Sequence, residues 1–286
     1  MQNKTLTLTI VIPVYNEERQ LKACLDAIVS QTVMPDEVIV VDNNCTDKTV
    51  SIAKKYKFVT IIKELKQGRG NARTAGFNAA KSDIIGRIDA DSVIATNWVE
   101  IVKSCFADDE VAGITGPGKT NIGPAAPWLY MTYWSRVYFW AANAYFGTKI
   151  LWGANSAIRR SVWLKIKSNV CVDDELVHED QDLSLLIAGA GGKIMQVNSL
   201  LIKTRGESYA FLPKLIHYLN LTYKTSRLHK SLGTLQQPRA EIIDQRHIVI
   251  GSVLAFIPGI IFVISSVVLL PFNLLAKMLS RSKKLT

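Results

Sequence analysis

The sequence predicts an α/β protein built on a mostly parallel sheet with helices on both faces. Short apolar runs alternate with helical stretches of about 10–15 residues from Leu6 to Thr115. Polar or acidic residues follow several of those runs directly. The chain has 286 residues, 48% of them hydrophobic and 20% charged, which is enough for one sizeable core and an appendage.

The elements follow in order. Leu6–Val14 is the first strand. Its apolar run is short, stops at Pro13 and has no small-residue cleavage site, so it is expected to open the sheet and not to act as a signal peptide. Glu17–Ser30 has helical spacing through Leu21, Leu25 and Ile28. Glu37–Val41 is a second strand, and Asp47–Lys57 a helix with Val50 and Ala53 inward. Val59–Lys63 is a third strand, Gly70–Lys81 a helix with small residues on one side, and Ile84–Ile88 a fourth strand. Asn97–Phe106 is a helix and Val111–Thr115 a strand. In open parallel sheets, ligands bind outside the carboxyl ends of the strands. That edge holds Asn16-Glu17, Asp42 and the Asp89/Asp91 pair.

The chain then changes character. Trp128–Phe146 is crowded with Trp, Tyr and Phe on nearly every side of a helical pattern. Such rings suit core packing, and they also stack on sugars or sit at membrane interfaces. Leu151–Arg160 follows, then a loop with several acids, then a helix predicted over Asp182–Ala190. Phe211–Leu232 is amphipathic and basic, with Leu212, Leu215, Leu219 and Tyr223 on one side and Lys214, Lys224, Arg227 and Lys230 elsewhere. It suits an interfacial helix on anionic lipid. Ile248–Ala276 contains no charged residue and is long enough to span a bilayer. Pro258-Gly259 splits it, and basic residues flank both ends, so a kinked span and a re-entrant hairpin are both open. The resulting division is 1–207 catalytic domain, 208–246 interfacial helix and linker, 247–276 membrane segment and 277–286 basic tail.

The net charge of +10 asks for an anionic partner. No nucleic-acid recognition module is present, and the basic residues concentrate near the apolar segment, so no nucleic acid is expected and lipid headgroups are the simpler partner. The four cysteines are scattered without a C-x-x-C pair, which suits a reducing compartment and suggests neither zinc nor a disulfide framework.

The stretch GRIDADS at Gly86–Ser92 places two carboxylates one residue apart where an apolar strand stops. In an extended chain Asp89 and Asp91 would share a face. Two such charges repel unless a cation or a ligand's donors lie between them. A helix cap or a turn is the plain alternative.

Five motifs then occur in order: IVIPVYNEE (Ile10–Glu18), VVDNNCTDKT (Val40–Thr49), GRGNARTAGFNAA (Gly68–Ala80), IDADS (Ile88–Ser92) and HEDQDLS (His178–Ser184). Together, over about residues 6–205, they resemble the family 2 glycosyltransferases. The resemblance implies the GT-A fold with its Rossmann-like sheet, a nucleotide-diphosphate sugar donor, a divalent metal (Mg²⁺ or Mn²⁺) and inversion at the anomeric carbon. It implies that Pro13, Tyr15 and Glu17 line the base and ribose, that Asp42 holds the base, and that Arg73 pairs with the diphosphate. It makes Asp91 a direct metal ligand, with Asp89 serving the ribose or the metal. Asp180 would be the general base, with Glu179 beside it. Trp152, Gly153 and Asn155 would line the acceptor site. Thr74 stands where the family commonly has Asn. The Gln-x-x-Arg-Trp motif of processive synthases is lacking, which suggests addition of one sugar at a time.

The expected function is transfer from a UDP- or GDP-linked sugar to a hydroxyl of a lipid-linked saccharide or glycolipid. The catalytic domain is expected to be membrane-associated and to face the cytoplasm. A polyprenyl-phosphate acceptor is the alternative, but it needs no strong base, and the usual D-x-D-L-Q-H-P continuation is replaced by DADSVIATNW. An NAD-dependent dehydrogenase lacks its glycine-rich loop after the first strand. An inactive scaffold would not need Asp42, Asp89, Asp91, Glu179 and Asp180.

Overall fold

The computed structural model describes residues 5–120, 139–204 and 212–234. Trp128–Tyr138 of the aromatic segment and all of Ile248–Ala276 lie outside these residues. Among the described residues, no helix is long and apolar enough to cross a membrane.

Strand β1 (Leu8–Val14) is buried on both faces. Leu8, Ile10, Ile12 and Val14 face one apolar cluster with Leu21, Leu25 and Trp98, and Val11 faces another with Ile39, Phe77 and Trp163. This is the period-two alternation of a central strand. Each fully buried aliphatic side chain here contributes about 1.5–3 kcal/mol. Helix α1 (Leu21–Val29) leads to β2 (Glu37–Asp42), α2 (Thr49–Ala53) to β3 (Val59–Lys63), and α3 (Arg69–Ala79) to β4 (Ile84–Ile88). All three of these strand pairings are parallel. The order β3-β2-β1-β4 reverses direction at β1/β4, so the chain forms a switch point there. Helix α3 approaches β1 so closely that a side chain at Gly76 would collide with Val11.

Beyond β4, the short β5 (Val93–Ile94) and α4 (Trp98–Cys105) lead to β6 (Val111–Thr115) and β7 (Gly118–Thr120). After α5 (Phe139–Phe146), strand β8 (Asn155–Arg159) inserts antiparallel between β4 and β6. Its first residue, Asn155, pairs with Ile88, the last of β4. The loop entering β8 therefore meets the carboxyl ends of the parallel strands. Helix α6 (Arg160–Ile166), α7 (Glu179–Gly189), β9 (Lys193–Gln196), β10 (Ile202–Thr204) and α8 (Leu212–Ser231) complete the described chain. The main sheet runs β3-β2-β1-β4-β8-β6-β9, and a small sheet runs β5-β10-β7.

Several boundaries differ from the sequence expectation. The helix predicted over Asp47–Lys57 is only α2, because Asp47 uses its carboxylate at the start: it accepts N–H bonds from Glu18 and Thr49. The helix predicted over Glu17–Ser30 starts at Leu21, because the Glu17 carbonyl first closes a turn with Gln20. Helix α7 starts at Glu179 and not at Asp182; extended His178 precedes it and accepts the Asp182 N–H. Three acids in its first turn, Glu179, Asp180 and Asp182, suit the positive end of the helix dipole. Helix α8 packs on the rest of the described chain by a side other than the one bearing Tyr223. Leu221, Thr225, Ser226 and His229 are buried, and Tyr223 is 40% exposed.

Candidate active site

One edge of the site, outside the carboxyl ends of β1 and β2, is made of two loops tied to each other. Asn16 and Asn44 both adopt left-handed backbone, at φ 56° and 67°, a conformation Asn tolerates better than most residues. Asn16 Oδ1 accepts the Thr46 N–H at 2.8 Å, and the Glu17 N–H donates to Thr49 Oγ1 at 2.7 Å. Asp42 Oδ1 accepts the Cys45 N–H at 2.8 Å, closing a tight turn after β2. Asn43 reaches the next loop, donating to the Glu64 and Lys66 carbonyls and accepting the Gly68 N–H. Pro13 and Glu17 are half-buried beside this edge, and Tyr15 is exposed.

Asp89 and Asp91 do not share an extended face as the strand geometry predicted. The strand ends at Ile88, and the Ser92 N–H bonds the Asp89 carbonyl, so the pair sits in a turn. Asp91 Oδ2 accepts from Thr204 Oγ1 at 3.2 Å, and Asp89 faces Arg87.

Arg87, which the sequence reading did not single out, is the centre of the site. It lies on β4, almost fully buried, and its guanidinium reaches three carboxylates. Nη2 donates to Asp89 Oδ1 at 3.2 Å and to Glu179 Oε1 at 2.8 Å, and Nη1 donates to Asp180 Oδ1 at 3.2 Å. Asp180 Oδ2 accepts the Gly153 N–H at 2.8 Å. Burial alone would raise the pKa of Glu179, but the cationic Arg87, Arg73 and Arg69 outweigh it and hold the carboxyl below its usual range. Asp89 has the opposite balance. Its side chain stays 42% exposed. Desolvation, against the pull of Arg87 and with Asp91, Asp180 and Glu179 nearby, pushes its pKa up to about 6. One guanidinium does not compensate this many acids. The imidazole of His178 is held below its ordinary pKa by burial, against the pull of Asp180 and Glu179.

Arg73 is placed otherwise than a diphosphate contact would require. Its side chain is wholly inaccessible; Nη1 donates to the Glu179 carbonyl at 2.9 Å and lies 3.7 Å from its carboxylate. It props the acidic motif from behind. The start of α3 is likewise occupied: Asp174 accepts the N–H groups of Arg69 at 2.6 Å and Gly70 at 3.0 Å. Those amides are not available to a phosphate.

The three residues expected at the acceptor site divide. Gly153 stands directly against the acidic pair; a Cβ there would lie 2.5 Å from Asp180 Oδ1 and 2.6 Å from the Arg87 guanidinium carbon. Trp152 is half-buried, its N–H on Thr115 Oγ1 and its ring against Gly118. Asn155 is fully buried, and both ends of its amide are used internally. Oδ1 accepts from the Trp98 indole, and Nδ2 donates to the Pro117 and Leu200 carbonyls. It is a structural residue and no part of an acceptor lining.

Among the described residues, no group of three or more His, Cys, Asp and Glu side chains could hold a metal ion. The donor set still fits one. Magnesium is usually held by one or two carboxylates together with substrate phosphates. Asp91 and the under-compensated, half-exposed Asp89 supply such a pair.

An acid cluster around a buried arginine lies at the switch point of a parallel sheet, where such sheets bind their ligands. Residues 9–166, more than half of the chain, match the family described as Glycosyl transferase family 2, and the chain belongs to that family. An uncharacterized glycosyltransferase, YibD, of Escherichia coli (strain K12) is 27% identical over 115 residues, 39% of this chain and 33% of the relative. The poly(ribitol-phosphate) beta-glucosyltransferase of Bacillus spizizenii is 33% identical over 128 residues, 40% of this chain and 20% of the relative. The chain thus matches a third or less of these relatives' own length. The mannosyltransferase PcManGT of Pyrobaculum calidifontis, solved with GDP-Man and Mn²⁺, shares the fold with a TM-score of 0.66 at 18% identity, over 96% of this chain and 84% of that one. TarS 1–349 of S. aureus, in complex with UDP-GlcNAc, does so with a TM-score of 0.55 at 17% identity, over 80% and 72%.

Proposed function

We propose that this chain transfers a sugar, with inversion, from a UDP- or GDP-linked donor to a hydroxyl of a lipid-linked saccharide or glycolipid at a membrane surface. The observation that carries it is the Arg87 bridge from Asp89, on the donor edge, to Asp180 and Glu179. Donor and acceptor chemistry then share one buried cation. Structural neighbours solved with GDP-Man and Mn²⁺ and with UDP-GlcNAc support the donor class.

The Pro13–Glu17 loop and Asp42 would seat the nucleoside. Asp91 and Asp89 would hold Mg²⁺ or Mn²⁺, which when bound neutralises charge on the diphosphate leaving group. Asp180 is the general base. Gly153 and Arg87 each hold one of its oxygens by a hydrogen bond, which fixes the carboxylate plane and leaves further lone pairs to receive a proton. As the acceptor oxygen bonds to the anomeric carbon, its proton passes to Asp180. The bond from that carbon to the diphosphate breaks, and the electron pair leaves with the diphosphate. Glu179 stays ionised, because its cationic neighbours hold its pKa low, and so acts as an anchor for Arg87 and not as a proton carrier.

The membrane partner rests on sequence: the uncharged segment Ile248–Ala276 with basic flanks, and the amphipathic stretch before it, which contains no Asp or Glu from Leu212 to Ser231. Anionic lipid would be drawn to that stretch.

The test is a panel of UDP- and GDP-sugars screened for thermal stabilisation with Mn²⁺, followed by turnover of the best donor on a lipid-linked acceptor. Metal-dependent stabilisation by one nucleotide class is expected. NAD binding without metal dependence, or stabilisation by no nucleotide sugar, would defeat the proposal.

A further inference from the structure

Hydroxyl, amide and imidazole groups of helix α8 bond to the start of α7. Thr225 Oγ1 accepts the His178 N–H at 2.8 Å. Gln181 Nε2 donates to Thr222 Oγ1 at 2.9 Å. His229 Nε2 lies 3.0 Å from Asp182 Oδ1, and both side chains are wholly inaccessible. The partners are themselves held. Asp182 Oδ2 accepts the Cys171 N–H at 3.1 Å, and His229 Nδ1 lies 2.6 Å from Thr234 Oγ1.

Those three contacts fall on His178, Gln181 and Asp182, which bracket Glu179 and Asp180 in sequence. An apolar seam tolerates a small slide of one helix along the other. Directed bonds do not: one residue of a helix is about 1.5 Å of travel, enough to take all three out of range. An apolar seam would have held the helices together as well. The polar contacts set their register, a role attested for buried polar groups elsewhere.

We propose that Thr222, Thr225 and His229 are positioning residues for glycosyl transfer. They fix the first turn of α7 so that Asp180 stays against the Gly153 N–H and Arg87. This rests on Asp180 being the base. It extends the active site to a helix that lies outside the family-matched residues.

The experiment uses the full chain and Thr225→Val, with Thr225→Ser as the conservative variant and UDP- and GDP-sugars with Mn²⁺ as probes. For Thr225→Val, kcat should fall about tenfold or more, since small misplacements of reacting groups are costly. KM for the nucleotide sugar should stay within about twofold, because the donor edge is built on other elements. Thr225→Ser, which keeps the hydroxyl, should restore kcat. Hydrogen exchange of the amides at 178–182 should quicken in Thr225→Val and return in Thr225→Ser. An unchanged kcat, a KM that worsens in step with kcat, or failure of serine to restore turnover overturns the proposal. Turnover of no probe by the parent chain instead defeats the transfer reading, and the exchange measurement then decides the positioning.

Discussion

The two sides of the site are built by different physics. The nucleotide edge is a set of short polar turns in which Asn16, Asp42, Asn43 and Asn44 bond to backbone groups of neighbouring loops. The acidic wall is a buried charge network: Arg87 and Arg73 bind Glu179 and Asp180 across 92 to 106 positions of chain. The first is made of neutral hydrogen bonds, several of them open to solvent, so single losses there should be small. The second is a largely buried set of charges, each dependent on the others, so single losses should be large.

The largest expected effect breaks the wall at its chemistry. Asp180→Asn should lower kcat about a thousandfold, within the range for a lost general base. Donor affinity, read by nucleotide-sugar titration, should be kept. Near-normal transfer would remove Asp180 as the base and revive a phosphate acceptor.

Next comes Glu179→Gln, which takes the carboxylate from buried Arg73 and leaves Arg87 only Asp89 and Asp180. It should cost about 3 kcal/mol at neutral pH by denaturant unfolding. Glu179 has a folded pKa below its unfolded one. Its contribution is therefore fully present above the ordinary glutamate pKa and is lost as pH falls through the lower folded value. The gap between parent and variant should narrow below about pH 4.5. A gap independent of pH would mean the side chain acts by packing and not by charge.

Gly153→Ala should cost about 1–3 kcal/mol by overpacking and lower kcat, because the new methyl meets both Asp180 and Arg87. Normal stability and turnover would show that the wall yields more than its packing suggests. The smallest effect belongs to the other side. Asn16→Gly keeps the left-handed backbone and loses one capping side chain, so about 1 kcal/mol of stability should go. Donor KM should rise a few-fold with kcat kept. A loss as large as that of Glu179→Gln would erase the contrast between the two sides.

The same contrast decided what the sequence disclosed. Strands β1 to β4 and β6 are rich in aliphatic residues, and their positions were legible to within a residue or two. Asn16 and Asp42 were placed on the edge by the rule that ligands lie outside strand ends; Asn43 and Asn44 were not singled out. Strand β8 was missed, because Asn155 and Ser156 are polar yet buried, and the Asn155 amide is satisfied by residues far along the chain. Arg87 was passed over as a charged interruption in an apolar strand. Its one sequence signal is a cation two positions before Asp89, and only the fold shows that Glu179 and Asp180 complete it. Arg73 was assigned to a ligand because a guanidinium near glycines suits phosphate. Its burial against Glu179 depends on where α7 docks. In α8 the leucine spacing said nothing of the side that packs on α7, since Thr225 and His229 pack by hydrogen bonds that hydropathy does not register.

The placement of Asp174 and Glu179 has a consequence for synthesis. Residues 9–166 carry Arg73, Arg87 and the start of α3, while Asp174, Glu179 and Asp180, which bind them, come later. A nascent chain that has emerged only to residue 166 would hold Arg73 without its carboxylate, Arg87 with Asp89 alone, and an uncapped helix. The donor half should therefore not mature as a separate unit. Its final closure waits for α7, so the sugar-nucleotide edge and the acidic motif should be completed in a single late step, and a fragment ending at 166 should remain protease-sensitive.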